Sequence, residues 1–393
     1  MKKQINWSSK NDNLNKEELE FISKLLIDLD PLTKGPWLEK FQVKFQNYLG
    51  ANENSCFGLT SAASALEMIA LLSDLKEGDE ILIPAHTYCA SAIPFGRLKT
   101  NIIWCDIDPE TRLISLEEIK RKSSKKTKAI LVTHLYGLAC EMPEIFEFCS
   151  QNNILLIEDC AQALGAEINT KKVGTYGDFS CFSFHAQKNM STLGEGGMLV
   201  VNNSKNKYVN RLKHNGHEPF ENQKNYWEPA MVNVVKPYKE IWPFNFPLTE
   251  IQAAVGWKYL DRIDEQNNLR KKRALYMIEE LSKYNISFQS GFEYDSSRHV
   301  WHLFPIKIEA GSSQNRNKIM NQLFEDFGIK CALQFYPLYK YDLFKKNGYG
   351  DANCPNLEDY FSKVFSIPFH VWMTDSDFEY LLDSLKKAFE KHL

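Results

Sequence analysis

The sequence predicts an α/β fold: a mostly parallel, mixed sheet sandwiched by helices, followed by a smaller C-terminal α+β domain. Two observations predict it. Between about residues 56 and 202, short apolar runs alternate with helix-like stretches, the spacing that parallel strands and their helical crossovers require. Beyond about residue 285, a strand, a helix, a short strand and a final helix follow instead. A chain of 393 residues is long enough for two or three domains at roughly 150 residues each.

Taken in order, the expected strands are Ile81–Pro84, Ile102–Ile107, Ala129–Thr133, Ile154–Ile157, Phe179–Phe184 and Met198–Val201. Helices are expected over Ala62–Asp74, around Ser91–Leu98, over Ser115–Arg121 and over Pro143–Gln151. Ser115 and Glu118 have the spacing of a capping box, and so do Thr249 and Gln252. The second pair opens a long helix through Trp257, Leu260 and Ile263 towards Leu281. Residues 203–248 are polar but rich in aromatics and prolines. They read as a long ordered loop in which Trp227, Tyr238, Trp242 and Phe244 pack against something. The last part holds a strand at His302–Ile308, a helix near Gln314–Phe327, a short strand near Ile329–Gln334 and a helix after Thr374. The expected division is 1–248, a connecting helix at 249–284, and 285–393.

Composition excludes several classes. Lys plus Arg total 47 against 50 for Asp plus Glu, without the basic excess of a nucleic-acid binder. Apolar residues at 44% and aromatics at 13% suit a globular protein. No apolar run is long enough to span a membrane, and the opening residues lack the apolar stretch of a secretory signal. The nine cysteines are scattered, without a CxxC pair, and no HExxH occurs. Free thiols in a reducing cytoplasm are therefore expected, and no metal site.

Three segments following apolar runs can carry chemistry, because ligands of such sheets bind beyond the carboxyl ends of the strands. Gly58-Leu-Thr-Ser-Ala-Ala-Ser-Ala65 places hydroxyls and small residues at a helix start, where unpaired amides can cradle a phosphate; Thr60 or Ser61 would equally serve as a simple N-cap. Asp159 ends the most apolar strand, where a carboxylate needs a cationic partner or a helix to cap. Lys188 follows another strand and precedes Gly194-Glu-Gly-Gly197; taken alone it reads as a surface lysine, but if desolvated there its amine becomes a nucleophile suited to an imine. Together the three suit pyridoxal phosphate, which needs its phosphate anchored, its ring nitrogen kept protonated and its aldehyde tethered.

The chain resembles the DegT/StrS sugar aminotransferases, within the fold type I (aspartate aminotransferase-like) pyridoxal phosphate enzymes. The motifs that carry the resemblance are GPWLEKFQ near residue 35, GDEILIPAHTYCAS, THLYG, IEDCAQALGA, GDFSCFSFHAQKN, GEGGMLV, LTEIQAAVG and FSIPFHVWMTDSD. The resemblance implies Lys188 as the Schiff-base lysine and Asp159 as the pyridinium partner. It implies Gln162 near the phenolic oxygen, Tyr88 stacked on the ring and Ser183 on the phosphate. It also implies that Asn245 reaches the phosphate of a neighbouring subunit, hence a homodimer. Two departures stand out. Ala63 occupies the place of the family's usual threonine; Ser64 follows directly, so the resemblance implies a phosphate-binding hydroxyl displaced by one residue to Ser64, with the amides of Ala62 and Ala63 carrying more of the anchoring. Pro243-Phe-Asn-Phe-Pro247 replaces Gly-x-Asn-x-Arg. His185, His214 and His217 are candidate substrate contacts. The implied reaction transfers an amino group from L-glutamate, giving 2-oxoglutarate and pyridoxamine phosphate, to a nucleotide-linked keto sugar. The alternatives are a related sugar dehydratase, in which a histidine replaces the lysine, and a non-catalytic regulatory homologue. An NAD enzyme is disfavoured because no GxGxxG follows a strand.

Overall fold

The computed structural model describes residues 3–7, 14–219, 225, 227, 231–309 and 313–393. Its centre is a seven-stranded sheet: β1 (Cys56–Leu59), β2 (Glu80–Pro84), β3 (Asn101–Cys105), β4 (Thr127–Thr133), β5 (Leu155–Asp159), β6 (Phe179–Ser183) and β7 (Gly197–Val201). The spatial order is β1-β7-β6-β5-β4-β2-β3. Neighbours from β3 to β6 are parallel, whereas β7 runs antiparallel to both β6 and β1. All six strands read from the sequence between residues 56 and 202 are present within a few residues, and β1 is an additional one.

Helix Pro36–Leu49 shows why GPWLEKFQ and LTEIQAAVG belong together. It buries Leu38, Phe41, Phe45 and Leu49 on one face, and Phe45 meets Phe182 and Phe184 of the sheet side at ring distances of 5.2 and 5.6 Å. Its first turn leaves amides without intrahelical acceptors. The buried Glu250 carboxylate takes two of them, from Trp37 (2.6 Å) and Leu38 (3.3 Å). Glu250 itself opens helix Glu250–Tyr259, with the Thr249–Gln252 capping box formed as expected. The long helix is not continuous. A single tighter turn, Leu260–Arg262, separates it from helix Ile263–Leu281. At Ser115 only half of the box forms: its hydroxyl accepts the Glu118 amide, while the Glu118 carboxylate turns to the Asp106 amide and Arg121.

The C-terminal part carries a second sheet of β8 (Ile286–Ser287), β9 (Phe304–Ile308) and β10 (Val364–Ile367), covered by helices Ser313–Phe327 and Asp375–His392. The strand expected near 329–334 is instead two isolated bridges, Ile5 to Ile329 and Ala332 to Ser366. One apolar cluster runs from the central sheet (Ile83, Leu131) into this second sheet (Ile306, Ile367).

Of the 203–248 region, residues 220–224, 226 and 228–230 lie outside those described. The remainder holds helix Asn206–Leu212 and a ribbon pairing His217–Pro219 with Met231–Val234. Tyr238 packs on Tyr208 (4.7 Å), and Phe244 on Phe246 (4.6 Å). Trp227 and Trp242, expected to be packed, are 70% and 75% exposed, and Lys236 Nζ lies over the Trp242 ring at 5.4 Å. All nine cysteines are free thiols, and no described helix is long and apolar enough to cross a membrane.

Candidate active site

A cavity of about 660 Å³ opens beyond the carboxyl ends of the parallel strands, within the range of small-molecule sites. Thr60, Ser61, Ala62 and Ala63 form one end of it. Ser61 caps helix Ala62–Leu72 and forms a capping box with Ser64. The amides of Ala62 and Ala63 are therefore the first two of a helix, donors with no intrahelical carbonyl and a partial positive charge. Ser64 corrects the sequence expectation. Its hydroxyl donates to the Ser61 carbonyl (2.7 Å) and accepts the Ser61 amide (3.0 Å), so it closes the helix start and does not line the cavity.

Asp159 lies at the end of β5, 5% exposed. Its Oδ2 accepts from the Ser91 hydroxyl (2.6 Å) and its Oδ1 from the Ala161 amide (3.0 Å). With the Cys181 thiol 3.7 Å from Oδ1, these bonds satisfy part of a carboxylate that has about four acceptor positions, and Asp159 lines the cavity. Gln162 also lines the cavity. Its carbonyl oxygen is taken by the Tyr136 amide (2.8 Å), which leaves the NH₂ end for a ligand acceptor. Tyr88 is 58% exposed on the cavity wall, edge-on to Phe335 at 6.1 Å.

Lys188 sits in the arch between β6 and β7. The arch is closed by Phe184 to Gly196 (2.8 Å) and Ala186 to Gly194 (2.9 Å), and the lysine's own amide bonds the His185 carbonyl (2.8 Å). Burial outweighs the attraction of Asp159 and lowers the ammonium to about 8. Among the described residues its amine has no ion pair. Asn189 next to it is pinned: its NH₂ donates to Asn267 and to the Val300 carbonyl (both 3.0 Å). Its oxygen faces His302 Nδ1 at 3.2 Å, so that nitrogen carries the proton. Burial, reinforced by the Lys188 charge, holds His302 well below its usual range and therefore neutral. Neither Asn189 nor His302, a cavity residue, was visible in the sequence.

Ser183 and His185 line the cavity. His185 Nδ1 accepts the Gln187 amide (3.2 Å), and Nε2 lies 3.8 Å from Glu195. His214, His217 and Asn245 do not line it. His214 and Asn245 are paired by a backbone bridge, and His217 belongs to the ribbon. The structure thus does not bring His214 or His217 to the substrate space of its own chain.

Among the described residues, His134, Glu158 and Cys160 come close enough to suggest a metal site, but the donor atoms of Glu158 and His134 are already engaged. Glu158 accepts the amides of Gly174, Tyr176 and Gly177 at 2.7–2.8 Å. His134 Nδ1 accepts the Cys140 amide (3.0 Å), so its Nε2–H faces Glu158 (3.2 Å).

An anion cradle, a buried carboxylate with spare acceptor capacity and an unpaired, desolvated amine share one cavity, and they fit pyridoxal phosphate. A site of this kind at the strand ends of such a sheet defines a pyridoxal phosphate-dependent enzyme. The chain belongs to the DegT/DnrJ/EryC1/StrS aminotransferase family, whose model matches residues 13–386. It is 29% identical over 359 residues to a GDP-perosamine synthase of Vibrio cholerae, covering 91% of this chain and 92% of that one. It is also 29% identical over 358 residues to a dTDP-3-amino-3,6-dideoxy-alpha-D-galactopyranose transaminase of Aneurinibacillus thermoaerophilus, covering 90% of each. The structure of NtdA from Bacillus subtilis with its bound cofactor PMP superposes at a TM-score of 0.82, with 25% identity, 96% of this chain and 83% of that one. The protein is an aminotransferase, with pyridoxal phosphate and pyridoxamine phosphate as the two forms of its cofactor; the dehydratase and regulator alternatives are not favoured.

Proposed function

We propose that the enzyme moves an amino group from L-glutamate to a keto sugar carried on a nucleoside diphosphate, as a cytoplasmic homodimer. The observation that carries this reading is Lys188, with its amine lowered to about 8, in one cavity with the Asp159 carboxylate. When bound, the cofactor supplies an electron sink for the carbanion formed beside the transferred nitrogen. Lys188 Nζ takes the proton from the donor's α-carbon and later returns one to the acceptor carbon, a role that an amine near neutrality fills. Asp159 holds the proton on the ring nitrogen. The amides of Ala62 and Ala63, with Ser183, hold the phosphate; Gln162 holds the phenolic oxygen, and Tyr88 covers the ring.

Asn245, outside its own chain's cavity, is the residue that a second copy contributes to the phosphate. Among the described lining residues, Lys188 is the sole lysine, and no arginine is present. This supports assigning the substrate's diphosphate to groups of a second copy. Glutamate should convert the absorbance of the bound cofactor to that of its amine form, and a nucleotide-linked keto sugar should reverse it. A bound cofactor indifferent to glutamate would overturn the reading.

A further inference from the structure

The first described residues form a strap whose alternate side chains have separate tasks. Lys3 Nζ binds Asp377 Oδ1 (2.8 Å) and the carbonyl and hydroxyl of Ser376 (both 3.1 Å), at the start of helix Asp375–His392. Ile5, 5% exposed, exchanges backbone bonds with Gly328 (3.0 Å) and Lys330 (2.9 Å). Trp7 comes next in this alternation. It packs on the apolar core with one side and lines the cavity. The docking is close: Gly328 has φ +68°, and a Cβ there would stand 2.5 Å from the Lys3 carbonyl oxygen. The chain's next helix, Lys16–Asp28, lies instead against Trp37 and Trp257, which Phe21 meets at 5.6 and 6.4 Å.

Both half-reactions use Lys188 and Asp159, but their substrates differ in size. Glutamate occupies the space beside the reacting nitrogen, while a sugar carried on a nucleotide extends to the walls beyond it. Contacts with such remote parts of a substrate are what raise its reaction over that of a smaller one. An indole is a large, rigid, mostly apolar surface, and a pyranose ring presents a face of C–H groups to match it. Trp7 shares this wall with Phe335 and Phe369.

We infer that Trp7, delivered by the docked strap, is a specificity-determining residue for the acceptor: the sugar ring lies against its indole. The inference rests on the keto-sugar reading above. It is tested by single-turnover absorbance of both half-reactions in the holoenzyme: glutamate with the pyridoxal form, and GDP-, dTDP- and UDP-linked keto hexoses with the pyridoxamine form. W7A should lower kcat/KM for the sugar about thirtyfold more than for glutamate, the size of a binding hot spot, and W7F should recover most of that bias. G328A, remote from the cavity, should reproduce the bias by undocking the strap. Parallel loss of both half-reactions in W7A, or full sugar activity in W7A, would overturn the assignment of Trp7 alone. Wild-type enzyme that discharges its amine to none of these sugars would overturn the assignment and the keto-sugar reading together.

Discussion

Gly197, the first residue of β7, lies directly on the backbone of Ser61. A Cβ built on it would stand 2.3 Å from the Ser61 carbonyl carbon and 2.5 Å from the Ala62 nitrogen. Both obstructing atoms are backbone, so no side-chain rotation relieves the clash. The approach follows from the antiparallel pairing of Leu59 with Gly197, which sets the helix start on the strand. The glycine-rich segment thus acts on the cradle from behind, by seating the turn that offers the Ala62 and Ala63 amides.

Gly197→Ala should therefore push the cradle out of place. Overpacking of this kind costs about 1–3 kcal/mol, and the expected result is at least a tenfold loss of cofactor affinity, roughly 1.4 kcal/mol, with a lower unfolding temperature. Fluorescence titration of the cofactor and calorimetry measure the two. Unchanged affinity would separate the cradle from this contact.

Lys188 makes a prediction in pH. Its folded-state value of about 8 lies below the ordinary 10.5, so between those two pH values the unfolded chain binds the extra proton. The buried ammonium then opposes folding at neutral pH, and the penalty is relieved as pH rises through that window. In the cofactor-free protein, Lys188→Met should raise the unfolding temperature at pH 7, with the gain shrinking towards pH 10.5. Capture of pyridoxal phosphate should accelerate with pH around a midpoint near 8, about a tenth of the amine being neutral at pH 7. A midpoint near 10.5 in stopped-flow absorbance would contradict this environment.

What the sequence made legible was local. Apolar runs such as Ile81–Pro84 and Met198–Val201 announced the strands, and the residues following them announced Asp159 and Lys188. β1 was hidden because four residues containing Gly58 make too short a signal. Ser64 was misplaced because Ser at the third helical position closes a capping box as Glu does, a local rule that outweighs its nearness to the cradle. Three relationships were beyond reach for a different reason. Glu250 caps a helix 213 residues away, His302 meets Asn189 across 113 residues, and Trp7 reaches the cavity on a segment held by the bridge of Ile5 to Ile329. Only tertiary packing creates such pairs, and no periodicity reports them.

Asp159→Asn tests the carboxylate separately from the lysine. The amide preserves the size of the side chain but removes its charge; its oxygen can keep the Ala161 amide while its NH₂ donates to the Ser91 hydroxyl, which turns to accept. Turnover should fall at least a hundredfold, roughly 2.7 kcal/mol of barrier, while the cofactor still binds and colours the protein. Turnover within a few-fold of wild type would remove Asp159 from the chemistry.

Glu158 is the contrasting case, because side chains alternate across a strand and its carboxylate serves the fold. Fully buried, it accepts three backbone amides and faces His134 Nε2 at 3.2 Å. Glu158→Gln sets an NH₂ against at least one of those donors, and hydrogen bonds to a buried charge are worth about 1.5–3 kcal/mol each. The variant should lose about 3 kcal/mol in urea unfolding, yet retain kcat within about twofold wherever it remains folded. Because the oxygens of Glu158 and the ring nitrogens of His134 are already partnered within the protein, a chelator should leave the wild-type midpoint in place. A midpoint lowered by chelation would instead make His134, Glu158 and Cys160 a metal site.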